Sequence, residues 1–286
     1  MEVIRAGVRI VLQIRQGRQW NISRQALRGA SATMRQMGLL LHVTDLHLSA
    51  DEGALLRGIQ PLATLRRTLA QALAATRAGG RSPDAILVTG DIVHDDPGGY
   101  AVFRREFADL GVPVCCIPGN HDDAAALAWS LAGAPFVCGG HLDLPDWRVV
   151  LLDSSVPGAD GGQLAPAQLQ LLERALATAT TAVLVCLHHH PVPMSSAWLD
   201  RIGLANAAEF FRLIDACPAV RGILWGHVHQ PFDGRRHGVR LLATPSTCAQ
   251  FLPHSEDFAV DPRPPAYRTL ELTPDGTLNT NLHWVD

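Results

Sequence analysis

Short apolar runs recur along the chain: Leu39-Leu40-Leu41-His42-Val43, Ala85-Ile86-Leu87-Val88, Val114-Cys115-Cys116-Ile117, Ala182-Val183-Leu184-Val185-Cys186 and Gly222-Ile223-Leu224-Trp225. Runs of this length, rich in β-branched residues and bounded by glycine or proline, have the pattern of strands buried on both faces. Between them lie segments with apolar positions at helical spacing, over residues 62–76, 100–110, 166–177 and 205–216. These predict amphipathic helices. Strands alternating with helices predict an α/β architecture, in which ligands bind in the crevice beyond the strand ends. Two stretches without periodicity, 155–162 and 253–265, read as loops and are candidate pocket walls.

Each apolar run is followed directly by a polar cluster. In order these are Asp45-Leu46-His47, Gly90-Asp91, Gly119-Asn120-His121-Asp122, His188-His189-His190 and Gly226-His227-Val228-His229. The candidate ligands therefore sit at strand ends, where five distant segments can converge on one pocket. A carboxylate can bridge two cations, imidazoles are directional neutral donors, and an asparagine carbonyl adds a ligand without adding charge. Such a set suits two divalent cations placed to attack a phosphate ester.

The remaining composition narrows the classes. At 286 residues and 47% hydrophobic content, the chain can bury a substantial core. Six cysteines show no CxxC and no regular spacing, which fits buried thiols of a cytoplasmic protein better than a disulfide framework or a zinc site. All 24 basic residues are arginine, and they are unevenly placed. Residues 1–37 carry seven arginines against Glu2 alone, whereas the rest has a net charge of −9, a poor electrostatic partner for nucleic acid. No stretch of 18 uncharged apolar residues exists, so no membrane span is expected. We expect two regions. Residues 1–37 are a basic extension, either flexible or the product of a start assigned too early, with Met34 and Met37 as alternative starts. Residues 38–286 form one catalytic domain.

The five clusters, in this order and approximate spacing, resemble the calcineurin-like metallophosphoesterase family. The segments His188 to Pro193, Ser196 to Asp200, Leu241 to Phe251 and Tyr267 to Leu272 are similar to those of bacterial class III 3',5'-cyclic-AMP phosphodiesterases, a likeness that covers residues 38 to about 284. It implies a four-layer α/β/β/α sandwich. Carried over by position, it implies one cation held by Asp45, His47, Asp91 and His229, and another by Asp91, Asn120, His188 and His227. Iron and manganese are the expected pair, with zinc or cobalt as alternatives. Within the triple histidine two alignments are open: an ungapped one selects His188, and one anchored on the following proline selects His189. We take His188.

The resemblance implies hydrolysis of a cyclic nucleotide, a small-molecule substrate, to the 5'-monophosphate by in-line attack of a water activated between two cations. It leaves His121 outside the ligand set, free to contact the phosphate and protonate the departing 3'-oxygen. Substrate contacts are expected from His47, Asp91, Asn120, His121, His188 and His229, with Trp198 and Asp200 near the base. Another phosphodiester of the same fold's repertoire, such as a glycerophosphodiester, is the alternative substrate. His42, His141, His237 and His283 are expected to be packing or surface residues, and His94 and His254 to lie at the pocket mouth. Oligomeric state has no signature here.

Overall fold

The computed structural model describes residues 37–285. All but the last residue of the basic segment 1–37 lie outside them. In chain order the strands are β1 (Gly38–Val43), β2 (Ala85–Thr89), β3 (Val114–Ile117), β4 (Phe136–Cys138), β5 (Gly140–Asp143), β6 (Trp147–Leu151) and β7 (Ala182–Cys186). They continue as β8 (Val220–Trp225), β9 (Phe232–Arg236), β10 (Val239–Ala243), β11 (Gln250–Phe251), β12 (Val260–Asp261), β13 (Ala266–Leu272) and β14 (Leu278–Trp284). The helices are α1 (Pro61–Ala78), α2 (Gly99–Phe107), α3 (Ala124–Ser130), α4 (Pro166–Ala177), α5 (Ala197–Asp200) and α6 (Ala207–Asp215).

Two six-stranded sheets result, ordered β14-β13-β1-β2-β3-β4 and β5-β6-β7-β8-β10-β9. In the first, β1 to β4 run parallel and β13–β14 form an antiparallel edge. The second has a parallel centre of β6, β7, β8 and β10 closed by antiparallel β5 and β9. Side chains alternate across each strand. Leu40, Leu87, Cys115, Leu184 and Leu224 therefore point between the sheets and form one core. Leu41, Val88, Val114 and Cys116 point the other way, into a second core with Leu65, Leu69 and Phe103 of α1 and α2. Val183, Val185, Ile223 and Trp225 make a third with Leu172, Phe210 and Ile214 of α4 and α6. Three cores between four layers are the α/β/β/α sandwich expected from the resemblance.

The predicted strands and helices match observed elements to within a few residues. Of the strands missed, β5, β9 and β14 carry polar or charged positions along one face, and β6 and β10 are each broken at their second residue by an arginine, Arg148 or Arg240. The segment 253–265 is not wholly irregular, because Val260 pairs with Phe251 in the β11–β12 hairpin. Between the sheets lies a polar network. His42, fully buried, joins Thr244 of the second sheet through Nδ1 (2.6 Å) and Thr89 of the first through Nε2 (2.7 Å). The buried Arg268 donates to Thr244 Oγ1 (3.2 Å) and the Ala243 carbonyl (2.8 Å). His42 is thus the packing residue expected, and it also ties the sheets together just behind the ligand loops. No described helix is long and apolar enough to cross a membrane. None of the six cysteines is in a disulfide, and four of them are buried.

Candidate metal centre

The strand ends converge through backbone pairing. Past β1 and β2 the two chains continue side by side, Asp45 N–H donating to Gly90 O (3.0 Å) and His47 N–H to Asp91 O (2.9 Å). The second sheet is joined by the His227 N–H, which donates to both Asp45 carboxylate oxygens (3.0 and 3.1 Å). Five residues at this rim adopt left-handed backbone conformations: Asp45 (φ 53°), His47 (53°), Asp91 (48°), His227 (68°) and His229 (47°). Non-glycine residues avoid this region, and clusters of such strain mark functional sites. The loops tolerate it because they must turn sharply to aim side chains inward. Gly90 and Gly119 allow close approach. A Cβ on Gly90 would meet the His188 ring, and one on Gly119 the Asp91 carboxylate.

Two ligand groups form, meeting at Asp91. In the first, one ligand atom from each of Asp45, His47, Asp91 and His229 lies within 4.8 Å of the others, and all four residues are buried. His229 Nε2 is 3.2 Å from Asp45 Oδ1 and from His47 Nε2, and His47 Nε2 is 3.8 Å from Asp91 Oδ2. In the second, His188 Nε2 lies 3.1 Å from Asn120 Oδ1 and 3.5 Å from Asp91 Oδ1, and His227 Nδ1 lies 3.0 Å from Asn120 Oδ1.

The remaining ring nitrogens show that these groups suit cations. His188 Nδ1–H donates to Thr89 O (2.7 Å), His227 Nε2–H to Ile202 O (3.1 Å) and His229 Nδ1–H to Ala249 O (2.6 Å). In its neutral form each ring then presents a lone pair, not a hydrogen, to the oxygens of Asp45, Asp91 or Asn120. Acceptors facing acceptors in a buried site repel, and a cation at their focus reverses the sign. His189 is placed differently. Its Nδ1 meets Ser154 Oγ (2.8 Å) and its Nε2 the Asp160 carbonyl (3.2 Å), although one of its nitrogens lies within 4.8 Å of ligand atoms of His188 and His227.

Electrostatics follow the geometry. Burial, with added repulsion from neighbouring rings, lowers the pKa of His47 and His227 well below the ordinary histidine value, keeping them neutral as ligands must be. His188 goes the other way. Burial favours its neutral form, but the charge and hydrogen bond of Asp91, with Asp45 and the Thr89 carbonyl, push it up to about 9. For Asp91 burial is likewise outweighed, and His188, His47 and His121 hold its carboxyl well below the usual range.

His121 stands at the opening. Its N–H donates to Asp91 Oδ1 (3.0 Å), its side chain is 28% exposed, and its Nδ1 is 3.1 Å from Asp95 Oδ1. Asp122, which follows it, accepts from the N–H groups of Gly119 (2.9 Å), Ile92 (3.1 Å) and Val93 (3.1 Å) and from the Tyr100 hydroxyl (2.9 Å). It binds the loop to the end of β2, and burial and the Asp91 charge push its pKa up to about 6. Trp198 lies edge-on to Phe251 (5.3 Å) and Phe258 (5.2 Å), and Phe251 stacks on the His229 ring at 3.9 Å. Asp200 accepts the Met194 N–H (2.6 Å), a bond that closes its own loop. Of the remaining histidines, His94 lies against His47 and His121 (5.1 and 4.5 Å between rings), and His254 is exposed. Sequence reasoning gave no part to Asp95 or the carbonyls of Thr89, Ile202 and Ala249, and placed Phe251 only at the end of a segment carrying the resemblance. A carbonyl has no sequence signature, and a lone aspartate or phenylalanine in a loop is unremarkable.

The calcineurin-like phosphoesterase profile matches residues 38–231. The chain is 43% identical to the 3',5'-cyclic adenosine monophosphate phosphodiesterase CpdA of Pseudomonas aeruginosa, over 87% of this chain and 90% of that one. It is 39% identical to the CpdA of Escherichia coli (strain K12), over 85% and 88%. Among solved structures, a purple acid phosphatase from yellow lupin shares the fold at 14% identity and a TM-score of 0.59, covering 87% of this chain and 52% of that one. A dimetal phosphatase from Danio rerio does so at 18% identity and a TM-score of 0.54, covering 87% and 99%.

Proposed function

This chain belongs to the calcineurin-like phosphoesterase family, and we propose that it hydrolyses 3',5'-cyclic AMP to 5'-AMP with two divalent cations held across Asp91. The observation that carries the reading is the pair of lone-pair-lined groups meeting at one carboxylate, in a chain 43% identical to a cyclic-AMP phosphodiesterase. Asp45, His47, Asp91 and His229 would hold one cation, and Asp91, Asn120, His188 and His227 the other. The His188 lone pair faces Asn120 and Asp91, whereas both His189 nitrogens are engaged elsewhere, which favours His188 over His189. We propose an iron and manganese pair, with zinc or cobalt as alternatives, since mixed oxygen and imidazole donors leave availability to decide. Cysteines outside any disulfide favour the cytoplasm. The family profile begins at residue 38, and we place the catalytic domain at 38–286.

When bound, the cations supply Lewis acidity that activates water and neutralises charge on the phosphoryl oxygens. The chain's own groups do the rest. Asp91 offers Oδ2 to one half and Oδ1 to the other, so a single carboxylate sets their separation. Asn120 contributes a neutral oxygen, which keeps the second half open to an anionic phosphate. Fixed to Asp91 through its backbone and held at Nδ1 by Asp95, His121 would face a phosphate bound at the two groups. Its Nε2 is left to pass a proton to the departing 3'-oxygen. The aromatic corner of Trp198, Phe251 and Phe258 flanks the His229 side and offers ring faces to a purine. Asp200, committed to its loop, would contact the base only through its second oxygen.

The test is a comparison of kcat/KM for cyclic AMP, cyclic GMP, a 2',3'-cyclic nucleotide and a glycerophosphodiester on metal-defined protein. A clear preference for cyclic AMP is expected. A preference for the glycerophosphodiester would overturn the substrate while leaving the reaction type intact.

A further inference from the structure

Three of the four imidazoles in the centre are oriented by backbone carbonyls, those of Thr89, Ile202 and Ala249. His47 is not. Its Nε2 faces His229 Nε2 at 3.2 Å and Asp91 Oδ2 at 3.8 Å, while its Nδ1 lies 3.2 Å from Nδ1 of His94. Two ring nitrogens at that distance share one hydrogen, one as donor and the other as acceptor. If Nε2 of His47 keeps its lone pair for a cation, the hydrogen sits on its Nδ1 and His94 Nδ1 accepts it. The His94 hydrogen is then on Nε2. His94 is itself held, its backbone N–H donating to Leu48 O (2.9 Å) and its ring packed against that of His121 (4.5 Å).

We propose that His94 is a positioning residue that fixes the tautomer and ring orientation of His47, and through it the hold on the first cation. The proposal rests on His47 being a ligand, as read above. Groups that fix a ligand's second nitrogen raise its basicity and spare it the entropy of ordering. Here the orienting acceptor is a half-buried side chain, so a single substitution can remove it without touching the strands. The rival is a separate cation site, since ring nitrogens of His47, His94 and His121 lie within 4.8 Å of one another.

The test is calorimetric titration of the metal-stripped full chain with Mn2+, with bound metal counted afterwards, for the natural protein, His94→Leu and His94→Gln. Two cations are expected in the natural protein. In His94→Leu one of the two should bind about 10- to 100-fold more weakly. His94→Gln should stay within about threefold of the natural protein, because its amide oxygen accepts the same hydrogen. Unchanged affinity in His94→Leu, a Gln variant as weak as the Leu variant, or a third cation that His94→Leu loses would overturn the proposal. Fewer than two cations in the natural protein would sink the binuclear reading and this one with it. Should His94→Leu fail to fold, nitrogen-resolved NMR of the zinc-loaded natural protein decides instead. A hydrogen on His47 Nδ1 and on His94 Nε2 is expected, and one on His94 Nδ1 overturns it.

Discussion

Nε2 of His188 lies 3.5 Å from Oδ1 of Asp91, and burial, the largest single influence on the imidazole, is outweighed by the charge and hydrogen bond of that carboxylate together with Asp45 and the Thr89 carbonyl. A cation taking that lone pair must displace a proton. The ring is pushed up to about 9, above its value in an unfolded chain, so it stays protonated through neutral pH and loses the proton only as pH rises through about 9. Its contribution to the stability of the stripped protein is accordingly full below about pH 6.5 and gone above about 9. Zinc titration at about pH 8 in buffers of different ionisation enthalpy should show about one proton released as this half fills, vanishing above about pH 10. Heats independent of buffer at about pH 8 would contradict the pairing.

His121→Ala should keep both cations yet lose about 10²–10⁴-fold in kcat on cyclic AMP, with a smaller loss on a nitrophenyl ester whose leaving group needs no proton. Asp95→Asn, which leaves the imidazole but removes its anionic partner, should fall between. Equal losses on both substrates would argue against proton transfer by His121.

Gly119→Ala places a Cβ against the Asp91 carboxylate. Overpacking of this kind costs about 1–3 kcal/mol, and here the strain falls on the atom that faces the second half. Metal affinity should drop by at least about tenfold with far-ultraviolet circular dichroism unchanged. A variant that binds metal like the natural protein would show that the loop gives way more easily than its contacts indicate.

His42→Leu removes the bond that joins the sheets through Thr244 and the bond to Thr89 within the first sheet, and leaves the buried Thr244 hydroxyl with Arg268 as its remaining side-chain partner and no acceptor from His42 for its own hydrogen. Unsatisfied buried groups cost about 1–3 kcal/mol, so the melting temperature should fall by several degrees, while the metal count stays at two. The fall should appear in urea midpoints as well. An unchanged midpoint would assign the network no part in stability.

Much of this was legible in the sequence, for a physical reason. Parallel strands buried on both faces tend to be apolar runs, and β1, β2, β3, β7 and β8 declare themselves that way, with the ligands following each run directly, whereas β6 and β10, also parallel, are interrupted by Arg148 and Arg240. The spacing of Asp45 and His47 survives in the structure as side chains aimed at one focus, whereas His227 and His229 divide between the two groups. Edge strands such as β9 and β14, half polar, gave no such signal. The orienting carbonyls were invisible because every residue carries one. Trp198 and Asp200 illustrate the limit of spacing arguments: two apart in sequence, one faces the aromatic corner and the other turns back to Met194.

The central claim is that two cations, joined through Asp91, are needed together for cyclic-AMP hydrolysis. The most direct measurement is kcat/KM for cyclic AMP as the stripped protein is loaded stepwise, with bound cations per chain counted at each step. Activity should remain near background up to one equivalent, rise steeply to two, and stay near background at every loading in a folded Asp91→Ala variant. Full activity at one equivalent, or in Asp91→Ala, would contradict the account.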